Sequence, residues 1–345
     1  MGRYVVKRLV LAFITLFIVL SLTFILLAML PPSKTVGNAN QVFAFYSDQA
    51  RLGFMKVFSS EVSGYGEIIY KWTDDVTGRA MYFYKTPVME QYFRWIGNIV
   101  TKWDWGTSSQ IKVNASALGL IGQRLPVSMS LNIISVVISV PLGILLGILA
   151  GLKKNTWIDH LISTLVMIFI SIPSFVTITF MVWIFGYNLG WLPTQWPSVL
   201  DPTSAKILGY IIPVFSLSFG SVCGYCRFVR AELCEVMSSE YLLLARTKGL
   251  TKNQAIVRHA LRNAFVPILP SILAEFIGIL GGSMILESLY GIPGIGNLYI
   301  DSLNKKDYNV LMVDMAVFTA ISLCAGIVLD LSYGFIDPRI RMGER

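Results

Sequence analysis

The chain has 345 residues, of which 54% are hydrophobic and only 14% charged, with a net charge of +8. A soluble domain carries roughly 25% charged residues, so this composition excludes one and points to an integral membrane protein. The excess of Lys and Arg does not call for nucleic acid, because membrane proteins concentrate these residues in their cytoplasmic loops.

Arg3, Lys7 and Arg8 precede an uncharged run from Leu9 to Leu30. A secretory signal has an apolar region of about 7–15 residues and a small-x-small cleavage site. This run is longer and ends in Met29-Leu30-Pro31-Pro32. It is long enough to cross roughly 30 Å of hydrocarbon, so residues 1–30 read as a cytoplasmic N-terminus and a retained first span.

Residues 31–122 turn polar and aromatic and contain no run long enough to span. They read as a soluble extracytoplasmic insertion of a small domain's size, whose fold the sequence does not disclose. Trp95, Trp103 and Trp105 stand where the chain returns to the membrane. Interfacial anchoring explains them, with ligand stacking as the alternative.

Residues 123–345 read as the main membrane domain. The second span covers about Leu125–Ala150, and Gly143, Gly147 and Gly151 recur on one face of it. Such a stripe lets another helix approach closely. Lys153 and Lys154 mark a cytoplasmic turn. The third span, about Ile158–Tyr187, holds Pro173, which removes a helical hydrogen bond and predicts a kink. An outer loop, Leu189–Lys206, leads to a fourth span at about Ile207–Val229, expected to be broken at Pro213. The fifth, about Phe265–Ser288, is followed by the turn Gly291–Gly296. The sixth, about Val310–Tyr333, delivers Arg339, Arg341 and Arg345 to the cytoplasm. The expected fold is therefore all-α, with six transmembrane helices, both termini cytoplasmic, and one extracytoplasmic insertion between helices 1 and 2.

Residues 235–264 stand apart, being charged and helical between apolar spans. Ser238 or Ser239 can cap a helix starting near Glu240, whose carboxylate suits the positive end of the helix dipole. Gly249 suits a left-handed stop, and Thr251 with Gln254 forms a capping box for a second helix. That helix carries Arg258, His259 and Arg262 towards Phe265. The pattern is a projecting lever; an ordinary basic cytoplasmic loop is the plainer reading.

No catalytic constellation is present. The chain lacks a G-x-x-x-x-G-K-[ST] phosphate loop and so should not hydrolyse nucleotide itself. Gly291–Gly296 contains proline and reads as a turn rather than a dinucleotide loop. Cys223 and Cys226 form a lone C-x-x-C; with Cys234, Cys324, His160 and His259 dispersed, structural cysteines are expected rather than zinc or a disulfide framework.

The stretch from Glu240 to Leu250, followed by Arg258-His259-Ala260-Leu261-Arg262-Asn263-Ala264, resembles the EAA loop of ABC-importer permeases. It is similar to the version in oligopeptide and dipeptide permeases, specifically the first of the two permeases of such a system. The resemblance extends to Arg124-Leu125-Pro126-Val127-Ser128, Ser171-Ile172-Pro173-Ser174-Phe175, Leu189-Gly190-Trp191-Leu192-Pro193, and Glu287 with Pro293-Gly294-Ile295-Gly296. It covers roughly residues 1–30 and 90–345. Leu243-Leu244-Ala245 replaces the wider family's opening motif, and Arg262 stands for a late proline, which suits the peptide version. The segment from about Val36 to Lys85 looks unlike the family's, and no Pro-Gly-Asp-Pro follows the first span.

The resemblance implies a plasma- or inner-membrane subunit that pairs with a second, similar permease. Two ABC ATPase subunits would bind the ATP and Mg, and an extracytoplasmic binding protein would deliver substrate. No cofactor is expected in this chain. Glu240, Tyr241, Ala245, Arg246, Lys248, Gly249 and Leu250 would form the coupling helix seated in an ATPase. Glu275, a costly intramembrane carboxylate, is a candidate for the substrate path, binding a peptide amino terminus or pairing with the partner permease. Glu287, at the outer mouth, could cap a helix or gate, and Pro173 could shape the path. Related permeases carry nickel or other solutes. The rival from another class is an ATP-independent six-helix carrier, which calls for inverted repeats and several paired intramembrane charges.

Overall fold

In the computed structural model, described for residues 2–30, 37–62, 64–65, 68–74, 77–198, 200–278 and 283–336, the chain forms two compact units. One comprises Met1–Pro126 and Asn297–Leu323, the other Val127–Gly296 and Cys324–Arg345.

In the first unit, α1 (Gly2–Met29) carries exposed apolar side chains such as Phe13, Leu22 and Leu26 along its length. Helix α2 (Ala39–Arg51) begins with an Asn38/Gln41 capping box. Strands β1 (Met55–Phe58), β2 (Ile68–Thr73) and β3 (Ala80–Lys85) form an antiparallel sheet in the order β1-β3-β2. The chain is mostly helical, and this sheet lies in the segment whose fold the sequence left open, so the all-α expectation does not extend to it. Val57, Phe58, Ile68, Tyr70, Trp72, Tyr82 and Phe83 are residue types that fit a pleated surface. Phe45, Tyr46 and Phe83 form its small core, with Tyr46 stacked on Tyr70 at 4.5 Å.

Helix α3 (Val88–Lys102) then lays Trp95 against Phe24 of α1, with centroids 4.8 Å apart in a stacked pair. Trp95 is therefore core, not an interfacial anchor as expected; Trp103 is exposed. The turn at residues 108–111 is fastened by Asp307. Its Oδ2 accepts from the Ser108 hydroxyl at 2.6 Å and from the amides of Ser109, Gln110 and Ile111 at 2.9–3.1 Å.

The second unit takes in most of α4 (Ala117–Leu152), then α5 (Trp157–Ile170) and α6 (Ser174–Met181), which runs on as wide π turns through Asn188. Pro173 sits between α5 and α6, and the two arms bend by 97°. The expected kink is thus a full break. Helix α7 (Thr203–Met237) by contrast passes through Pro213 without interruption. One missing amide removes one bond, and the remainder of a 35-residue helix carries it.

The glycine stripe behaves as its spacing predicts. A Cβ on Gly143 would stand 2.8 Å from the Val222 carbonyl, and one on Gly147 2.7 Å from that of Cys226. Only hydrogen at these positions lets α4 and α7 touch backbone to backbone. An unforeseen clasp joins α5 to α7. Asp159, fully buried, accepts from Arg230 Nη2 at 2.9 Å, the Asn155 amide at 2.9 Å and the Ser163 hydroxyl at 3.2 Å.

Among the described residues, four helices are long and apolar enough to cross a membrane, and five if the bent α5–α6 pair counts as one span. The expected fifth span resolves into α11 (Ile268–Gly278) and α12 (Met284–Tyr290), with residues 279–282 outside the described set. Helices α13 (Ile295–Lys305) and α14 (Tyr308–Ile336) follow. Arg339, Arg341 and Arg345 also lie outside the described residues. Cys223 and Cys226 are buried and reduced, whereas Cys234 is half-buried and Cys324 exposed, so burial does not extend to all four.

Candidate functional site

The charged stretch between α7 and α11 is a chain of short helices. The first, α8, runs Glu240–Thr247. Ser239 occupies the N-cap position, but its hydroxyl bonds back to the Val236 carbonyl instead of capping. Glu240 supplies an acidic side chain to the first turn and Arg246 a basic one to the last, as the helix dipole favours.

One residue holds α8 to the protein. Leu242 is buried against Leu233 of α7 and against Ala255, Ile256, Ala260 and Ala264, with Leu250 packed alongside. The rest of the helix faces outward. Tyr241, Leu243 and Leu244 are 41%, 63% and 58% exposed, Ala245 is half-buried, and Arg246 and Lys248 are exposed. Contiguous exposed apolar side chains rimmed by charge mark an interaction surface more often than a solvated one.

Gly249 ends α8 with φ +96°, and nothing lies within 4 Å of where its Cβ would be. Glycine is required there by backbone conformation and not by space. The chain then restarts at α9 (Lys252–Ala255). The Thr251 hydroxyl accepts from the Gln254 amide at 3.3 Å, and the Gln254 side chain from the Thr251 amide at 3.1 Å. A π turn, Ile256–Ala260, presents Arg258 and His259 outward and leads to α10 (Leu261–Phe265). Ala260 and Ala264, both essentially inaccessible, seat this run against the core under α8.

The other expected site residues occupy three separate environments. Glu275 of α11 is half-buried, and the Tyr225 hydroxyl of α7 donates to the Ser271 carbonyl, one turn before it on α11, at 3.1 Å. Glu287 is 2% exposed and anchors a loop. Its Oε1 accepts from the Ser128 hydroxyl at 2.7 Å and the Ser283 amide at 3.3 Å, and Ser128 Oγ in turn accepts from the Ile295 amide at 2.9 Å. Pro173 marks the α5–α6 break. Sequence reasoning missed Tyr225 and the role of Ser128. The Ser128–Glu287 pair is separated by 159 residues, and no local signal reports such a contact.

Long apolar helices and a glycine-packed helix pair define a multi-pass membrane protein. Comparison with known proteins makes this specific. The profile of the family described as "binding-protein-dependent transport system inner membrane component" matches residues 143–342. The dipeptide transport system permease protein DppB of Lactococcus lactis subsp. cremoris is 33% identical over 344 residues, covering 99% of this chain and 100% of that protein. The oligopeptide transport system permease protein OppB of Haemophilus influenzae is 31% identical over 342 residues, covering 99% and 100%. DppB of Bacillus subtilis is 29% identical over 346 residues, with full coverage of both chains.

The chain belongs to this family of inner-membrane transport components and is a permease component of a binding-protein-dependent importer. These alignments run through residues 31–122 as well, so that segment is not an addition relative to the relatives.

Proposed function

We propose that the chain is one of two similar six-span subunits, with both termini cytoplasmic, that import di- or oligopeptides delivered by an extracytoplasmic binding protein. In this reading residues 31–122 lie outside the membrane. ATP and Mg act on two partner ATPase subunits, and α8–α10 is the lever those subunits move. Peptide cargo is supported by relatives named for dipeptide and oligopeptide transport along their whole length.

The observation that carries the coupling role is the asymmetry of α8. Leu242 is locked into the core, while Tyr241, Leu243, Leu244, Arg246 and Lys248 are left for a partner. A rigid helix held at one side and gripped at the other transmits a displacement to α7 and α11, and hence to the spans.

Gly249→Pro tests this. Proline cannot adopt φ +96°, so the link between α8 and α9 is rebuilt while the spans are untouched. The expected result is normal membrane insertion with loss of ATP-driven uptake of a labelled dipeptide. Retained coupling of ATP hydrolysis to uptake overturns the lever.

A further inference from the structure

Within the first unit lies a cavity of about 130 Å³ that the transport reading does not use. An engineered apolar cavity of roughly this size holds benzene. Here Phe24, Leu27, Trp95 and Met312 supply apolar wall, and among the polar lining residues two buried donors have no acceptor. Gln49, only 6% exposed, lines the cavity with its Nε2 buried and lacking an acceptor. Trp105 lines it too, with a buried Nε1–H in the same condition. Lys85 contributes a third donor, its ammonium held by the Ala28 carbonyl at 2.7 Å and its pKa lowered by burial.

Buried donors without acceptors are costly, because the water they gave up is not replaced. A site that gathers two of them beside a desolvated ammonium and an aromatic wall is complementary to a group offering acceptors, negative charge and a small apolar body.

We infer that this cavity is a binding site for a small apolar carboxylate, the carboxylate facing Gln49, Trp105 and Lys85 and the apolar body facing Phe24 and Trp95. Two sources present that chemistry: free branched or aromatic monocarboxylates, and the C-terminal residue of a peptide ending in an apolar side chain. The site stands on the cavity alone and does not depend on peptides being the transported cargo.

The test uses the full chain in lipid nanodiscs, titrated with 4-methylpentanoate and read by saturation-transfer NMR. Saturable binding is expected, with 4-methylpentanamide weaker by about tenfold, the worth of one charge-assisted hydrogen bond. Gln49→Leu and Trp105→Phe each delete one donor and keep most of the volume; each should weaken binding about tenfold. Lys85→Met should abolish the preference for acid over amide. Displacement of the probe by Ala-Ala-Leu but not by its C-terminal amide would assign the peptide source. Displacement only by other monocarboxylates would assign the free one. Failure of the wild-type chain to bind 4-methylpentanoate saturably, with water alone filling the cavity, overturns the site. So does unchanged affinity in both donor variants.

Discussion

Gly147→Ala adds one methyl group where α4 meets α7. That methyl would stand 2.6 Å from Val229 Cβ and 2.7 Å from the Cys226 carbonyl oxygen. Neither is the tip of a flexible side chain, so relief requires the two helices to separate. Overpacking of this kind costs about 1–3 kcal/mol. Alanine also improves helix propensity by about 1 kcal/mol, so the fair control is a helical glycine with room around it. Gly220 of α7 is such a position, with nothing within 4 Å of its missing Cβ. The propensity term cancels between Gly147→Ala and Gly220→Ala, leaving Gly147→Ala less stable by about 1–3 kcal/mol. Gly151→Ala should fall between them, because its nearest neighbours are the Leu233 side-chain carbons at 3.0–3.3 Å, which can shift. Unfolding of the purified chain by titration with SDS measures the series. Equal stability of Gly147→Ala and Gly220→Ala would refute the claim that α4 and α7 meet at backbone distance.

Three further outcomes are expected. Asp159→Asn should destabilise the α5–α7 contact more than Asp159→Asn combined with Arg230→Met, since removing the buried carboxylate strands the half-buried Arg230 charge; the same SDS titration reads it. Glu287→Ala frees the Ser128 hydroxyl and the Ser283 amide together and should cost roughly 2–3 kcal/mol, whereas Glu287→Gln, which still accepts, should cost less. Glu275→Gln should change relative uptake among peptides of differing amino-terminal charge while leaving SDS stability within about 0.5 kcal/mol; uniform wild-type uptake removes Glu275 from the substrate path.

What the sequence disclosed was local. The first, second, fourth and sixth apolar runs, the four-residue glycine stripe, the left-handed Gly249 and the Thr251/Gln254 capping box are each written in a few neighbouring residues, and each appears where its spacing put it. Pro173 and Pro213 show where locality fails. Both were expected to disturb a helix, yet Pro173 turns the chain through 97° while Pro213 sits inside continuous α7. The missing hydrogen bond is the same in both cases, and the surrounding packing decides the result.

The strands of residues 55–85 were unreadable for a related reason. They are four to six residues long, and their aromatic side chains find partners across the sheet, on α2 and on Tyr65. Trp95 looked interfacial because its burial depends on Phe24, seventy-one positions earlier (95 − 24). At the site, the residues of α8 were legible one by one. Their division into one buried leucine and an exposed face required α9 and α10 to be folded beneath them.

The most direct test of the central claim places a photo-crosslinking amino acid at Leu243, 63% exposed on α8, in cells expressing the whole transport system. Leu142, 48% exposed on the apolar face of α4, serves as the membrane-facing control. The account predicts an adduct between position 243 and an ATPase subunit, absent from position 142. No ATPase adduct from position 243, or an equal one from both positions, would contradict it.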